Sequence, residues 1–232
     1  MIGFRHGIWA LVPVKRLDRA KTRLAAILDA AERRALARAM LLGVFGTLSR
    51  VRELAGILVV TSDVEAASIA RLFGAAVIPD PVEDGTRNAV GRGMRRLDEA
   101  RAAGVIVVPG DVPFVTVAEL TTVLVAMRSS RVVVVPATRD GGTNILGVSP
   151  PAFMPPAYGP DSFTRHVAAA RSIGVEPEIL SLDGAGHDID VAADLVLDQG
   201  EGPASRTRAC LGRFAGIGFP VPAGLYKEAL LP

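Results

Sequence analysis

Cysteine is all but missing from this chain: Cys210 stands alone among 232 residues. That excludes an intrachain disulfide and points to a reducing compartment. Long apolar runs are missing too. The longest are of strand length, too short to cross a bilayer as helices, and no apolar segment with a small-residue cleavage site opens the chain. A cytoplasmic protein without a membrane partner is therefore expected. Charge of one sign is not in excess, since the formal net charge is only +2. A pI near 9.0 does not by itself argue for nucleic acid at so small a net charge, and none is expected as a partner. Neither GxGxxG nor GxxxxGK[ST] occurs, so a dinucleotide oxidoreductase and a P-loop NTPase lack their phosphate-binding glycines. Fixed-period repeats and heptads are absent as well.

What is present is a soluble α/β composition, half apolar and rich in Ala, Val, Gly and Arg. The length suits one sizeable core. Strand-length runs at Ile8–Val14, Gly56–Thr61, Ala75–Pro79, Val105–Pro109, Arg131–Pro136, Thr143–Val148 and Glu176–Ser181 alternate with helical patterns. The helical stretches are Ala31–Ser49, Val64–Phe73, Asn88–Ala103, Val117–Met127 and Ser162–Ile173. Ile57–Val60 and Val132–Val135 are apolar on both faces, as strands covered by helices on both sides must be. The β-α-β-α order implies right-handed crossovers in a mostly parallel sheet. The short step from Val135 to Ile145 implies a local antiparallel pair. An α/β, three-layer, Rossmann-like fold with a mixed, mostly parallel sheet follows. It is expected over residues 1–198, with a Gly-, Pro- and Arg-rich C-terminal extension over 199–232.

The apolar run VIVVPGDVPFV stops abruptly on Asp111, at the carboxyl end of a strand, where open α/β sheets bind ligands. A strand-end Asp is often only a turn former. Here Pro109 and Pro113 stiffen the turn, Gly110 permits close approach, and no cation lies nearby in sequence, which suits a Mg²⁺ ligand. HDIDVAADL supplies Asp188, Asp190 and Asp194 as further acids. Asp190 also fits the cap of a helix beginning near Val191, which favours Asp188 as the second metal carboxylate. After the first strand, Lys15, Arg16, Arg19, Lys21 and Arg23 crowd one loop. Cations at a helix start oppose the macrodipole unless an anion arrives, and the loop after strand one is where such folds bind phosphate. Gly85, Thr86 and Asn88 precede a helix and could hold a base or ribose, or Asn88 could simply cap it. Thr143, Gly159 and Ser162 surround a second helix start suited to an anion, one turn ahead of Arg165 and His166.

At VPVKRLDRAKTRL, GTRNAV, VPGDVPFV, GGTNILGVSPP, YGPDSFTRHVAAA and DIDVAADL the chain resembles the 2-phospholactate guanylyltransferase family of deazaflavin coenzyme biosynthesis. Its bacterial members use phosphoenolpyruvate or 3-phosphoglycerate. The resemblance implies a nucleotidyltransferase fold and GMP transfer from GTP to a small phosphorylated carboxylic acid, releasing pyrophosphate. By this resemblance Lys15, Lys21 and Arg23 would hold the triphosphate, with Gly85 and Asn88 in the guanosine pocket. Asp111 and Asp188, with Asp190 in the same motif, would hold Mg²⁺, and Thr143, Gly159 and Ser162 would bind the acid. Asp111 and the three cations are the candidate catalytic groups. Two positions depart from the family pattern: Asp161 stands where a small residue is usual, and VAADL replaces TPEDL. The nearest rivals are a cytidylyl- or molybdopterin guanylyltransferase, whose glycine-rich first loop with GxxxRM is missing here, and a non-catalytic nucleotide-binding domain. A homodimer is left open as an assembly.

Overall fold

The computed structural model describes residues 4–191 and residue 194. The extension expected over 199–232, and with it the domain boundary, lies outside the described residues. Seven strands form one sheet: β1 (Ile8–Val14), β2 (Leu54–Thr61), β3 (Ala76–Pro79), β4 (Gly104–Val107), β5 (Val132–Pro136), β6 (Thr143–Val148) and β7 (Glu178–Ile179). Their spatial order is β3-β2-β1-β4-β6-β5-β7. β6 runs antiparallel to both β4 and β5, and every other pairing is parallel. The mixed, mostly parallel sheet expected from the sequence is thus realised.

Alternation along each strand builds two cores. Ala10, Val12 and Val14 of β1 and Val133 and Val135 of β5 face one core; Trp9, Leu11, Val132 and Val134 face the other. Helices α1 (Ala30–Leu48), α2 (Val64–Leu72) and α4 (Val117–Ala126) cover the first face. Helices α3 (Thr86–Glu99) and α5 (Ser162–Ser172) cover the second. Burial on both faces is why β5 reads as four consecutive valines, each fully buried and each contributing roughly 1.5–3 kcal/mol of transfer free energy. Three helices begin on side-chain caps. Asp29 with Glu32 and Thr116 with Glu119 form capping boxes at α1 and α4, and Asp63 caps α2.

Between β1 and β4 the chain reverses its direction of growth: β2 and β3 build outward on one side, β4 and all later strands on the other. The loops after β1 and β4 therefore splay apart at their carboxyl ends and leave a crevice. The basic loop after β1 is not the helix start expected from the sequence. It is two 3₁₀ turns, Leu17–Arg19 and Thr22–Leu24, and the next long helix waits until Ala30. Among the described residues no helix is long and apolar enough to cross a membrane.

Candidate active site

Two adjoining cavities fill that crevice, one of about 350 Å³ and one of about 130 Å³. They share Pro13, Val14, Lys15, Arg19 and Thr86, and together they reach the ~300–1,000 Å³ typical of small-molecule sites. The basic loop and the turn after β4 wall the larger one, which ends on Lys21, Arg23, Asp111 and Asp190. The smaller one runs under the loop between β3 and α3, past Ser62, Asp80, Glu83 and Gly85.

Lys21 is the hinge of the larger cavity. It occupies the left-handed backbone region at φ 53°, between the two 3₁₀ turns. That conformation is uncommon outside glycine, and such strain clusters at functional sites. It delivers the ammonium to two carboxylates: Nζ donates to Asp111 Oδ2 at 2.6 Å and to Asp190 Oδ1 at 3.1 Å. Arg23 donates to the other oxygen of Asp190 at 2.9 Å. Only 6% of the Lys21 side chain is exposed, against about a third of each carboxylate. Burial works against its charge, but the two acids outweigh burial and hold the ammonium above its ordinary range. Lys15, exposed on the rim, forms no hydrogen bond or ion pair among the described residues and lines both cavities.

The acids come from distant parts of the chain, and the backbone joins them: Ile189 N–H donates to Asp111 C=O at 3.1 Å. Asp188 lies just behind, within reach of the Asn144 amide. Burial, then the charge of Asp111, then that of Asp140 push its carboxyl above the ordinary range. The residues that a cap at Asp190 would serve, 192 and 193, lie outside the described residues. The Asp190 carboxylate is held by Lys21 and Arg23, and Asp194 accepts from the N–H groups of Asp190 and Val191. Among the described residues no three acidic, His or Cys side chains are gathered closely enough to enclose a metal ion. The donor set nevertheless fits Mg²⁺. Hard oxygens already share one cation in Lys21, and Mg²⁺ commonly takes one or two carboxylates and completes its shell with water and phosphate.

Thr143 and Ser162 meet beneath the start of α5. Thr143 N–H donates to the Ser162 hydroxyl at 2.8 Å, and Thr143 Oγ1 lies 2.9 Å from His166 Nδ1. Ala157 N–H donates to His166 Nε2 at 2.8 Å, so the neutral ring carries its proton on Nδ1 and donates it to Thr143. The Thr143 hydroxyl proton is thereby released for another acceptor. Burial, then the charge of Arg165, lowers the His166 pKa to about 4. Gly159 is at φ 130°, and Asp161 precedes α5 in the left-handed region without capping it through its side chain. These residues line neither cavity. They approach the acids through Asn144, which follows Thr143 and also bonds the Ala185 carbonyl.

A model of the family described as "Guanylyl transferase CofC like" matches residues 8–211. The chain belongs to that family. The guanylyl transferase relatives include the phosphoenolpyruvate guanylyltransferase of Conexibacter woesei, 37% identical over 88% of this chain and 95% of its own. Another, of the same name, from Roseiflexus sp. strain RS-1 is 38% identical over 87% of this chain and 89% of its own. Among solved structures, a provisionally named nucleotide-diphospho-sugar transferase from Desulfovibrio desulfuricans G20 superimposes with a TM-score of 0.73. It covers 92% of this chain and 97% of its own at 16% identity, which speaks to the fold alone.

In this guanylyl transferase the structure brings together Lys15, Lys21, Arg23, Asp111 and Asp190 in one cavity and Gly85 in its neighbour. Asn88 is exposed in the first turn of α3, its amide 3.4 Å from the Asp84 carbonyl, and lines neither cavity. Gly85, not Asn88, stands at the N-cap position. Ser62, Asp63, Asp80 and Glu83 escaped the sequence reading. Asp63 caps α2 and also accepts from Leu17 N–H at 2.8 Å, which anchors the basic loop. Its signal was the same as that of Asp111, an acid just past an apolar strand.

Proposed function

We propose that this protein transfers GMP from GTP to the phosphate of a small phosphorylated carboxylic acid, releasing pyrophosphate, as a step of deazaflavin coenzyme assembly in the cytoplasm. Phosphoenolpyruvate is the first candidate acceptor, before 2-phospho-L-lactate and 3-phospho-D-glycerate, because the relatives carry that name. The observation that supports the reading most is the meeting of Lys21 with Asp111 and Asp190 at the end of a nucleotide-sized groove.

In the reaction an acceptor phosphate oxygen attacks the α-phosphorus of GTP. The bond from that phosphorus to the bridging oxygen breaks, and the electron pair leaves with pyrophosphate. A phosphate monoester is nucleophilic enough near neutral pH that no general base is required, and no Ser-His or Cys-His pair is needed. The chain's task is to hold two polyanions side by side. Lys15, Lys21 and Arg23 bind the triphosphate and stabilise the charge that grows on the leaving pyrophosphate. Gly85 borders the guanosine end, with Asn88 one turn into α3 behind it. Thr143, Gly159 and Ser162, at the start of α5, receive the acceptor's anionic groups. Asp111, with Asp188 or Asp190, would hold Mg²⁺, which supplies charge neutralisation and alignment of the phosphates.

The test is pyrophosphate release by purified protein with GTP, Mg²⁺ and each of the three acids in turn. Release with phosphoenolpyruvate above the other two is expected. No release with any of them, alongside release with some other phosphorylated acceptor, overturns the substrate class.

A further inference from the structure

The smaller cavity carries acids that the phosphate chemistry does not use. The groove is polarised. Its larger end holds Lys21 and Arg23, whereas its smaller end is walled by apolar Pro13, Val14 and Ala89 and bears Ser62, Asp80 and Glu83. A triphosphate seeks the cationic end, so the base lies at the other. Two of the charges there, Asp80 and Arg16, are matched by neighbours within the chain. Asp80 is paired with Arg92, which also grips Asp84. Arg16 is bound through two nitrogens to Asp18, at 3.0 and 2.6 Å. Lys15 and Arg19 sit on the boundary shared with the larger cavity.

Glu83 is the acid of this cavity that forms no ion pair among the described residues, although Arg16 lies near enough to feel its charge. Glu83 is exposed, in the left-handed region at φ 51°, and the Ser62 hydroxyl donates to its Oε1 at 2.7 Å. That bond and backbone conformation set where the carboxylate sits. Oε2 has no hydrogen-bond partner among the described residues, and Oε1 keeps a second lone pair. Two residues further on, Gly85 stands at the N-cap of α3 with no side chain to cap it, so the N–H groups that open the helix are unclaimed among the described residues at the same end of the groove.

This arrangement, acceptors beside donors, is the complement of one base edge. Guanine presents N1–H and the N2 amino group as adjacent donors and O6 as an acceptor. Adenine and cytosine place a ring-nitrogen lone pair where guanine has N1–H, and a carboxylate repels it. Uracil flanks its single N–H with two carbonyls. We propose that Glu83 is the residue that selects the base, accepting from N1–H and N2 of guanine while the N–H groups opening α3 donate to O6. This rests on the reading of the protein as a guanylyltransferase and adds the group that rejects other nucleotides.

Equilibrium binding of GTP, ITP, XTP, ATP and CTP to the full-length wild type and Glu83→Gln tests it without an acceptor. ITP lacks the N2 amino group, so the wild type binds it roughly 10- to 100-fold more weakly than GTP, the range of one hydrogen bond to a charged group. Glu83→Gln loses a similar factor for GTP and turns its preference to XTP, whose C2 carbonyl accepts from the introduced amide. Equal wild-type affinity for GTP and ITP overturns the proposal even if the variant does not fold. So does a folded Glu83→Gln protein that keeps the wild-type GTP over XTP ratio. If wild type releases pyrophosphate from GTP with an acid but the variant's base preference is unchanged, this inference alone fails. If no acid reacts and the preference still switches to XTP, the assignment of Glu83 stands and the acceptor class falls. A wild type that prefers ATP or CTP overturns both.

Discussion

Asp111 and Lys21 form a pair whose value differs between the resting site and the transition state. At rest the ammonium satisfies the carboxylate. During transfer Lys21 would turn to phosphate, and the charge of Asp111 would serve to hold the Mg²⁺ that lets the anions approach each other. Asp111→Asn keeps the shape and removes that charge, so turnover is expected to fall roughly 100-fold or more, with far less change in melting temperature. Pyrophosphate release at near wild-type rate in that variant would end its assignment to the metal. His166 sits at the other extreme, wholly buried and neutral, between the Ala157 N–H and the Thr143 hydroxyl. Its folded pKa of about 4 lies below the ordinary 6.5, so the native state excludes a proton that the unfolded chain accepts. The contribution of neutral His166 is complete above pH 6.5 and is lost as pH falls towards 4. By linkage that loss reaches up to about 3 kcal/mol. Urea titrations between those pH values should show the loss in wild type and a clearly flatter profile in His166→Gln. Parallel profiles would mean that the ring is protonated in place.

Elements were legible where burial leaves a pattern and illegible where it does not. β1 and β6 have the bounds the sequence suggested, Ile8–Val14 and Thr143–Val148, β1 as an apolar run and β6 as a strand buried throughout despite opening on Thr143 and Asn144. β4 ends at Val107, two residues short of its apolar run, since the turn towards Asp111 takes over there. The basic loop reads as the beginning of a helix and is two 3₁₀ turns, a difference set by the backbone of Lys21 rather than by composition. Glu83 and Ser62 carry no such signal. They meet because β3 lies beside β2, and strand order is not written in any local window. Helix α3, whose N-terminal end borders the nucleotide groove, contains two glycines that make contrasting predictions. A methyl at Gly93 would fall 2.3 Å from the buried Leu11 Cδ1, whereas at Gly91 the closest atom is 3.7 Å away. Gly93→Ala should therefore cost about 1–3 kcal/mol through overpacking. Gly91→Ala should gain up to ~1 kcal/mol from helix propensity. Thermal melts of the two variants give the signs, and a stabilising Gly93→Ala would mean that α3 does not lie against β1 as described.

At the scale of the whole molecule, the site joins loops that only the sheet topology brings together: residues after β1, after β4 and after β7 converge at one edge. A metal ion could be what holds such a convergence, as in small domains that unfold without zinc. Here the ion pairs argue otherwise. Lys21 bridges Asp111 and Asp190, Arg23 takes the remaining oxygen of Asp190, and the Ile189–Asp111 backbone bond closes the loops on each other. Each of these contacts is made between groups of the chain itself. A chelator should accordingly shift the melting temperature of wild type by less than about 2 °C, which at this size is under ~1 kcal/mol. Lys21→Met removes the bridging charge and leaves two carboxylates facing each other, each about a third exposed. Because solvent screens them in part, the cost should be about 1–3 kcal/mol rather than that of a fully buried pair. Mg²⁺ should then restore part of the loss in Lys21→Met while scarcely affecting wild type. If instead wild type melts ten degrees lower in chelator, the cation is a structural member of the fold, and Lys21 is a bystander to it.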